Sequence, residues 1–358
     1  MEEAAKKFLR ELLDVPGPSG YEQRVQAVWR GYVGAFCNDV RTDVHNNVVA
    51  TLKGADDFGV MVVGHADEIG MIVVNVDENG YIYFGRIGGV DPTILQSQRV
   101  QVLAKGGAVR GVVGKKAAHL LDSGDDKPPK IHDLWIDIGA KDRADALARV
   151  RVGDPIIFGE NFEELSNGYA VARNFDNRVG CYIAAETLRA LSVISESKVS
   201  GLKPTVYAVS SAQEETGVWG AGPLAYALKP ALGIALDVTH ATDYPGLSKN
   251  RFGDVQLGKG PVISRGVKTS ELVFDMLEET ARKHNIPWQV EVEGGRSGTD
   301  ADVIADRGPG IAVTVVSIPN RYMHTSTELI HLDDLDNCVK LLVEFIQTLD
   351  GSTNLIPR

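Results

Sequence analysis

The hydrophobic pattern divides the chain into three stretches, and the first predicts the beginning of an α/β structure. Apolar residues between Phe8 and Leu13 recur at helical spacing and stop before Pro16, which predicts an N-terminal helix. Ser19 and Glu22 have the spacing of a capping box and predict a second helix from about Tyr21 to Phe36. HNNVVATL and GVMVVGHA then indicate strands, and the near-continuous apolar run of the second is typical of a strand covered on both faces.

The second stretch, residues 71–164, is dominated by strand-like segments with short, Gly-rich turns. Asn79-Gly80 and Gly106-Gly107 each lie between two such segments and predict hairpins. Only KDRADALARV indicates a helix. We therefore predict that residues 71–164 form an all-β domain inserted into an α/β domain built from residues 1–70 and 165–358.

In the third stretch, helical and strand-like segments alternate from about Gly168 to the C-terminus. The strand candidates are LKPTVYAVSSAQ, ALGIALDV, PWQVEVE and GIAVTVVSI, and amphipathic or apolar helical segments separate them. This alternation predicts a largely parallel sheet with helices on both faces.

Composition narrows the classes of function. The 358 residues include 37 Lys or Arg and 48 Asp or Glu, giving a formal charge of −11, which disfavours binding to nucleic acids. Three cysteines are too few, and odd in number, for a disulfide framework, so we expect a reducing compartment. The N-terminal residues lack the apolar run of a signal peptide and no segment is long enough for a membrane span, so we expect a cytoplasmic protein without a membrane partner.

Ionisable residues cluster where the predicted strands end and the following helices begin. Ligands of open α/β sheets bind at the carboxyl ends of strands. Taken singly, each residue has a simpler explanation, because Asp is a common helix cap and a lone His is commonly a hydrogen-bonded structural residue. Taken together, clustered carboxylates need compensating cations. The candidates are His65, Asp67, Asp176, Glu214, Glu215, Asp237 and His324.

Imidazoles and carboxylates without cysteine are suited to zinc, or to cobalt or manganese. The number of candidates allows two metals, each with one His and one carboxylate, and a shared Asp. Asp67 lies two residues after His65, so both side chains face the same way and Asp67 can fix the imidazole tautomer. Of the adjacent Glu214 and Glu215, one can bind metal while the other acts as general base.

Six motifs, in this order along nearly the whole chain, closely resemble the TET-type dinuclear-metal aminopeptidases, also called deblocking or glutamyl aminopeptidases, whose relatives are sometimes labelled endoglucanases. They are HADEIG (65–70), NFDNRVG (174–180), SAQEETGVWGA (211–221), DVTHATDYPG (237–246), GGRSGTDAD (294–302) and RYMHTSTELI (321–330). Asn174-Phe175 before Asp176 departs slightly from the family pattern, which puts metal preference rather than the bridging ligand in question.

The resemblance implies a role for each candidate residue. His65 and Asp237 would bind one metal, Glu215 and His324 the other, and Asp176 would bridge them. Glu214 corresponds to the general base, and Asp67 to the residue that supports His65. The implied cofactors are two divalent metal ions per subunit, with Zn²⁺ the first choice and Co²⁺ or Mn²⁺ as alternatives.

The resemblance also implies a fold and an assembly. The fold is α/β, with a phosphorylase/aminopeptidase-like mixed sheet sandwiched by helices and an inserted all-β, PDZ-like β-barrel domain that helps to build dimers. Such dimers assemble into hollow tetrahedral dodecamers. The expected partners are peptide substrates and other copies of the chain.

The implied activity is metal-dependent hydrolysis of N-terminal residues from short peptides, so the expected class is a metalloprotease. The alternatives are another hydrolase on the same dinuclear site, a deacylase or a glucanase, and an inactive metal-stabilised scaffold, which the intact Glu214 disfavours. Arg296 either selects acidic side chains or lies on the surface. His240, three residues after Asp237, is expected to have a structural or supporting role rather than to bind metal.

Overall fold

The structure is a computed structural model that describes residues 1–120, 128–159, 161–197 and 201–357. Within these residues the strands are β1 (Val40–Thr42), β2 (Val48–Leu52), β3 (Gly59–His65), β4 (Gly70–Val76), β5 (Ile82–Ile87), β6 (Arg99–Ala104), β7 (Gly107–Gly114), β8 (Trp135–Asp137), β9 (Pro155–Phe158), β10 (Glu163–Glu164), β11 (Tyr169–Ala172), β12 (Thr205–Ser211), β13 (Leu232–His240), β14 (Val262–Gly266), β15 (Gln289–Glu293), β16 (Ala312–Asn320) and β17 (Glu328–His331).

The helices of the same residues are α1 (Glu3–Asp14), α2 (Gln23–Val33), α3 (Pro92–Leu95), α4 (Arg143–Arg149), α5 (Phe175–Ser197), α6 (Ala221–Leu228), α7 (Lys249–Phe252), α8 (Glu271–Lys283), α9 (Ala301–Ile304) and α10 (Leu332–Ile346). Asp176 and Asn177, at the beginning of α5, lack helical backbone angles. Over the described part of the chain, no helix combines the length and the apolar character needed to cross a membrane.

In the described residues, a mixed eight-stranded sheet forms the centre of the molecule, with the order β1-β2-β12-β3-β13-β16-β14-β15. Its middle strands β12, β3, β13 and β16 are parallel, as the alternating pattern predicts. The prediction of a largely parallel sheet does not extend to the sides, because β2 runs antiparallel to β12 and β14 antiparallel to β16.

Strand β3 shows why its sequence is almost continuously apolar. Val60 and Val62 belong to a core shared with α1, α2, α5, α8 and α10. Met61 and Val63 face the other way and pack with α6 and α9. Because successive strand residues point to opposite faces, a strand covered by helices on both sides is apolar at every position. The α/β sandwich predicted from the sequence is confirmed.

A closed barrel of strands β4-β5-β8-β7-β6-β9 is built from residues between Gly70 and Phe158. It has its own apolar core, which includes Met71, Ile82 and Ile156. Both predicted hairpins are present: β4 pairs with β5, and β6 pairs with β7. The predicted fold class, a helix-covered mixed sheet with an all-β barrel, is therefore confirmed. The boundaries at residues 71 and 164 stay a prediction, since β10 lies outside the barrel and pairs with β11.

The capping box predicted at Ser19 and Glu22 is wrong, and α2 is shorter than expected. Ser19 forms a hydrogen bond with the Thr216 hydroxyl, 2.9 Å away. The Glu22 carboxylate instead accepts the backbone N–H groups of Gly20 and Gln213, at 2.7 and 3.1 Å. A tertiary contact thus takes the place of the local cap, and it ties α2 to the loop that follows β12.

Candidate metal centre

The candidate residues meet at one edge of the central sheet because the strands that carry them are neighbours. His65 is the last residue of β3, Glu214 and Glu215 follow β12, and Asp237 lies in β13. These three strands are parallel and adjacent, so their carboxyl ends lie side by side. Asp176 is the second residue of α5, which packs against β3.

Glycine allows this packing to be close. A Cβ atom on Gly64 would lie 2.3 Å from the backbone carbonyl carbon of Gly180 in α5, so a side chain cannot be accommodated there without movement of the helix. Since Gly64 precedes His65 and Gly180 follows Asp176 by four residues, the close approach places the imidazole and the carboxylate together.

Asp176 lies between the two candidate histidines. Its Oδ1 is 3.2 Å from Nε2 of His65, and its Oδ2 is 3.2 Å from Nε2 of His324. Each imidazole thus faces a different oxygen of one carboxylate. This is the arrangement expected of a carboxylate shared by two cationic sites.

Each imidazole also has a further carboxylate beside it. Nε2 of His65 is 3.9 Å from Oδ1 of Asp237 and 3.7 Å from Oε2 of Glu214. Nε2 of His324 is 3.4 Å from Oε2 of Glu215. In addition, His65, Asp176 and Glu215 each offer one ligand atom, and these atoms lie within 4.8 Å of one another. The structure therefore brings together all the residues selected from the sequence, while their individual roles stay predictions.

The electrostatics of the cluster show an excess of carboxylates over positive charge. Burial is the main reason that the pKa of Glu214 is raised to about 10; His65 opposes this shift and Asp237 adds to it. Burial also raises the pKa of Asp237 and of Glu215. Asp176 differs, because hydrogen bonds from both histidines outweigh its burial and hold its pKa below the usual range. Nearby cations would favour the ionised form of all these groups.

The donor set and one unpaired atom fit a divalent metal. Imidazole nitrogens and carboxylate oxygens are the donors that zinc, cobalt and manganese accept. The Glu215 side chain is only 4% exposed. Its Oε1 is buried and has no hydrogen-bond partner within the described residues. A buried, unsatisfied carboxylate oxygen is costly, and coordination would satisfy it.

Asp67 has a second task that its position in the sequence does not reveal. Its Oδ1 lies 3.4 Å from Nδ1 of His65, which is also 3.2 Å from the backbone carbonyl of Asp67, and the supporting role of Asp67 stays a prediction. Its two oxygens also accept the backbone N–H groups of Glu214 and Glu215, each at 3.0 Å. One buried carboxylate thus lies beside an imidazole and holds the loop that carries both glutamates.

Glu328 is a supporting residue that sequence reasoning missed. It is buried in β17, and its carboxylate accepts the backbone N–H of Asp176 at 2.8 Å and of His324 at 3.0 Å. His324 has a φ of 62°, which is uncommon outside glycine. The two hydrogen bonds hold the shared carboxylate and the second imidazole in position. The available signal was the glutamate four residues after His324 in HTSTE.

Glu68 was also missed, and it links β3 to α5 behind the cluster. Its carboxylate accepts hydrogen bonds from Nε of Arg173 at 2.9 Å and from Nη2 of Arg178 at 3.1 Å. It also accepts the Gly17 N–H at 2.9 Å. All three charged side chains are no more than 1% exposed. This buried ion pair fixes the residue next to Asp67 to the segment that contains Asp176.

A cavity of about 660 Å³ opens in front of the cluster and continues along the sheet edge toward β15. Arg296 lies at its rim, where its side chain is 75% exposed and its Nε is 3.2 Å from Oδ2 of Asp302. His240 also lines the cavity, and burial lowers its pKa. Neither residue lies in the group of ligand atoms around Asp176.

Comparison with known proteins shows a consistent relationship. The family model of the M42 glutamyl aminopeptidases matches residues 46–341. A lysyl aminopeptidase from Pyrococcus furiosus is 34% identical over 96% of this chain and 97% of its own. The crystal structure of a TET aminopeptidase from Thaumarchaeota archaeon SCGC AB-539-E09 has a TM-score of 0.92 at 30% identity and covers 97% of both chains. Pyrococcus horikoshii TET1 peptidase, which can assemble into a tetrahedron or a large octahedral shell, has a TM-score of 0.84 at 29% identity, with coverage of 96% and 99%.

Proposed function

The chain belongs to the M42 glutamyl aminopeptidase family and is an aminopeptidase, a hydrolase of peptide bonds, and from this premise we propose how its own residues perform the reaction. The substrate is a short peptide, and the bond cleaved is the one after its N-terminal residue. The reaction takes place at a dinuclear metal centre with a glutamate as general base. The observation that carries the proposal is the position of Asp176 between two imidazoles.

Two sets of ligands follow from that arrangement. His65 and Asp237 would hold one cation, His324 and Glu215 would hold the other, and Asp176 would be shared between them. The cations are Zn²⁺, with Co²⁺ or Mn²⁺ as alternatives that the same donors accept. When bound, they would polarise the scissile carbonyl and lower the pKa of the attacking water.

Glu214 is the proposed general base. Its carboxylate lies beside His65 and is only 10% exposed, so it faces the cluster from the wall of the cavity. It accepts a proton from the attacking water and delivers it to the leaving amine. Asp67, through the Glu214 N–H, keeps the backbone of this residue in place while it also orients the His65 ring.

The assignment is tested by comparing classes of substrate on the full chain. We expect hydrolysis of leucyl, glutamyl or lysyl anilides that requires divalent metal and is restored by Zn²⁺, Co²⁺ or Mn²⁺ after chelation. N-acetylated amino acids and carboxymethylcellulose test the deacylase and glucanase alternatives. Turnover of either without turnover of any anilide would refute the peptidase proposal.

We also propose a division of labour between the two parts of the chain. Residues 1–70 and 165–358 form the catalytic domain, and residues 71–164, which contain the barrel, form a domain for self-association. The Pyrococcus horikoshii relative can assemble into a tetrahedron, and the related PhTET1-12s structure is a dodecamer. Both support our proposal that this chain assembles into dimers and then a dodecamer. Light scattering should give a mass well above the 38.6 kDa of one chain, and a monomer at micromolar concentration would contradict the proposal.

The family description and the Pyrococcus furiosus relative name different N-terminal residues, glutamyl and lysyl. The residue preferred by this chain therefore depends on the side chains that line its own cavity.

A further inference from the structure

The cavity extends from the metal centre across one face of the sheet. Asp237 in β13 is in register with Ser317 in β16, so both side chains lie on the same face, and Thr239 follows on that face two residues later. The hydroxyl of Thr239 donates to Oε2 of Glu291, and that of Ser317 donates to Oε1 of Glu291 at 3.3 Å. A polar track thus leads from the candidate ligand Asp237 to Glu291 in β15.

The charged residue beside Glu291 in the cavity is another acidic residue. Glu293 lies two residues further along the same strand and lines the same cavity. Within residues 1–120, 128–159, 161–197 and 201–357, no Lys, Arg or His side chain forms an ion pair with either carboxylate. Burial raises the pKa of Glu291, and burial together with Glu291 raises the pKa of Glu293 to about 7. This part of the cavity is therefore arranged to receive a positive charge that the described residues do not supply.

The guanidinium of Arg296 does not form an ion pair with these two carboxylates. Arg296 lines the same cavity, but it is paired with Asp302, whose carboxylate also accepts the backbone N–H groups of Ser297 and Gly298 at 3.0 and 3.1 Å. Asp302 is held by its own loop, and it keeps Arg296 at the exposed rim. The sequence allowed two roles for Arg296, selection of acidic substrates or a surface position. The structure favours the surface position.

We propose that Glu291, assisted by Glu293, makes this aminopeptidase selective for peptides with lysine or arginine at the N-terminus. The proposal rests on the proposed function, because it assumes that the scissile bond lies at the metal centre. Thr239 follows Asp237 by two residues, which corresponds to about 7 Å along an extended strand. The flexible four-carbon stem of lysine spans roughly this length, so its ammonium reaches Glu291 while its α-carbon stays at the centre.

The hydrogen bonds from Thr239 and Ser317 give Glu291 a fixed orientation. A carboxylate held in this way needs little reordering when a cation arrives, and a charge-assisted contact in a partly dehydrated cavity is stronger than one at the surface. Glu293 adds negative charge beside it without the same hydroxyl contacts. The larger part of the selectivity is therefore assigned to Glu291.

The test compares lysyl anilide with norleucyl anilide, whose side chain has the same carbon stem without the ammonium group. We expect kcat/KM for the lysyl substrate to exceed that for the norleucyl substrate by about 10-fold or more. Glu291→Gln should remove most of this ratio through a higher KM for lysyl anilide, and Glu293→Gln should reduce it by a smaller factor. Glu279→Gln, on the exposed side of α8, makes the same charge change outside the cavity and should leave the ratio unchanged.

Norleucyl anilide also serves as the internal control for folding. Both cavity variants are judged by the ratio of lysyl to norleucyl kcat/KM, in which a loss common to the two substrates cancels. A wild-type preference for norleucyl or glutamyl over lysyl anilide would overturn the selectivity proposal and leave the aminopeptidase assignment intact. An unchanged ratio in Glu291→Gln would overturn the role of that residue. Failure to hydrolyse any anilide would instead reject the proposed function.

If Glu291→Gln also lost activity toward norleucyl anilide, the selectivity proposal would be tested by two other measurements. They are the ratio of lysyl to norleucyl kcat/KM in the wild type and the same ratio in Glu293→Gln. A binding measurement provides a readout without turnover: calorimetry with Glu214→Gln and the peptides Lys-Ala-Ala and norleucyl-Ala-Ala. We expect tighter binding of the lysyl peptide, and equal affinities would count against a cation site at Glu291.

Discussion

Replacement of Glu68 by glutamine should cost much more stability than an ordinary charge removal. Glu68 is the common acceptor for two arginines whose side chains are at most 1% exposed, Arg173 and Arg178. Glutamine keeps the shape of the side chain but loses its charge and one accepting oxygen. Burial already lowers the pKa of Arg178, and the charge of Glu68 opposes that shift. Without it, a buried guanidinium remains uncompensated.

The magnitude follows from burial. Removing one partner of a buried ion pair typically costs about 3–5 kcal/mol. Total stabilities of domains are about 5–15 kcal/mol, so the loss is a large fraction of the whole. The matched control is Glu164→Gln. Glu164 also faces two basic side chains, Lys6 and Arg10, but its own side chain is 37% exposed. Its replacement should cost less than about 1 kcal/mol.

The assay is urea unfolding of the chelator-treated full chain, for the wild type and both variants. Tryptophan fluorescence monitors the unfolding. The free energy of unfolding is compared at equal protein concentration, so that self-association does not differ between samples. A loss in Glu68→Gln that is under about 1 kcal/mol, or equal to that of Glu164→Gln, would refute the reasoning that the buried network holds β3 and α5 together.

Three further predictions concern the centre itself. Glu214→Gln should retain its metals by elemental analysis but lose about 10²- to 10⁴-fold in kcat, and near-normal turnover would exclude it as the base. Asp176→Asn should lower the metal content of the purified protein, because a neutral amide replaces the shared carboxylate; full occupancy of both sites would exclude a bridging role. Gly64→Ala should lower the free energy of unfolding by at least about 1–3 kcal/mol, because the methyl group meets the Gly180 backbone at 2.3 Å. Gly31→Ala, a helical position with open space around it, is the control and should be neutral or stabilising, so equal effects of the two changes would contradict the packing argument.

Much of the candidate centre was predictable because strand ends are visible in the sequence. His65, Asp237 and the Glu214-Glu215 pair each follow an apolar run, and parallel strands bring such positions to one edge. The capping box at Ser19 was equally regular in sequence and was wrong, because the Glu22 carboxylate accepts the Gly20 N–H and, from the loop after β12, the Gln213 N–H. Local patterns hold only where no distant partner competes for the same groups.

The supporting residues Glu328 and Glu68 were missed because their roles depend on distant parts of the chain. Glu328 lies four residues after His324, but its local sequence does not show that its carboxylate also accepts the Asp176 N–H, 152 positions away. The two arginine partners of Glu68 lie 105 and 110 positions away in the chain. Glu291 is similar, because its proposed role depends on a hydrogen bond from Thr239, which is 52 residues away.

The sequence by itself determined the layers, the existence of an inserted all-β part, and the residue types that gather at the sheet edge. These follow from hydrophobic periodicity and from the chemistry of side chains, both of which are local properties. Only the tertiary structure decided which oxygen of Asp176 faces which imidazole, which buried carboxylates support the centre, and that Arg296 is held at the rim by Asp302. Such contacts depend on how strands and helices far apart in the chain pack, and a single hydrogen bond requires positions accurate to a few tenths of an ångström.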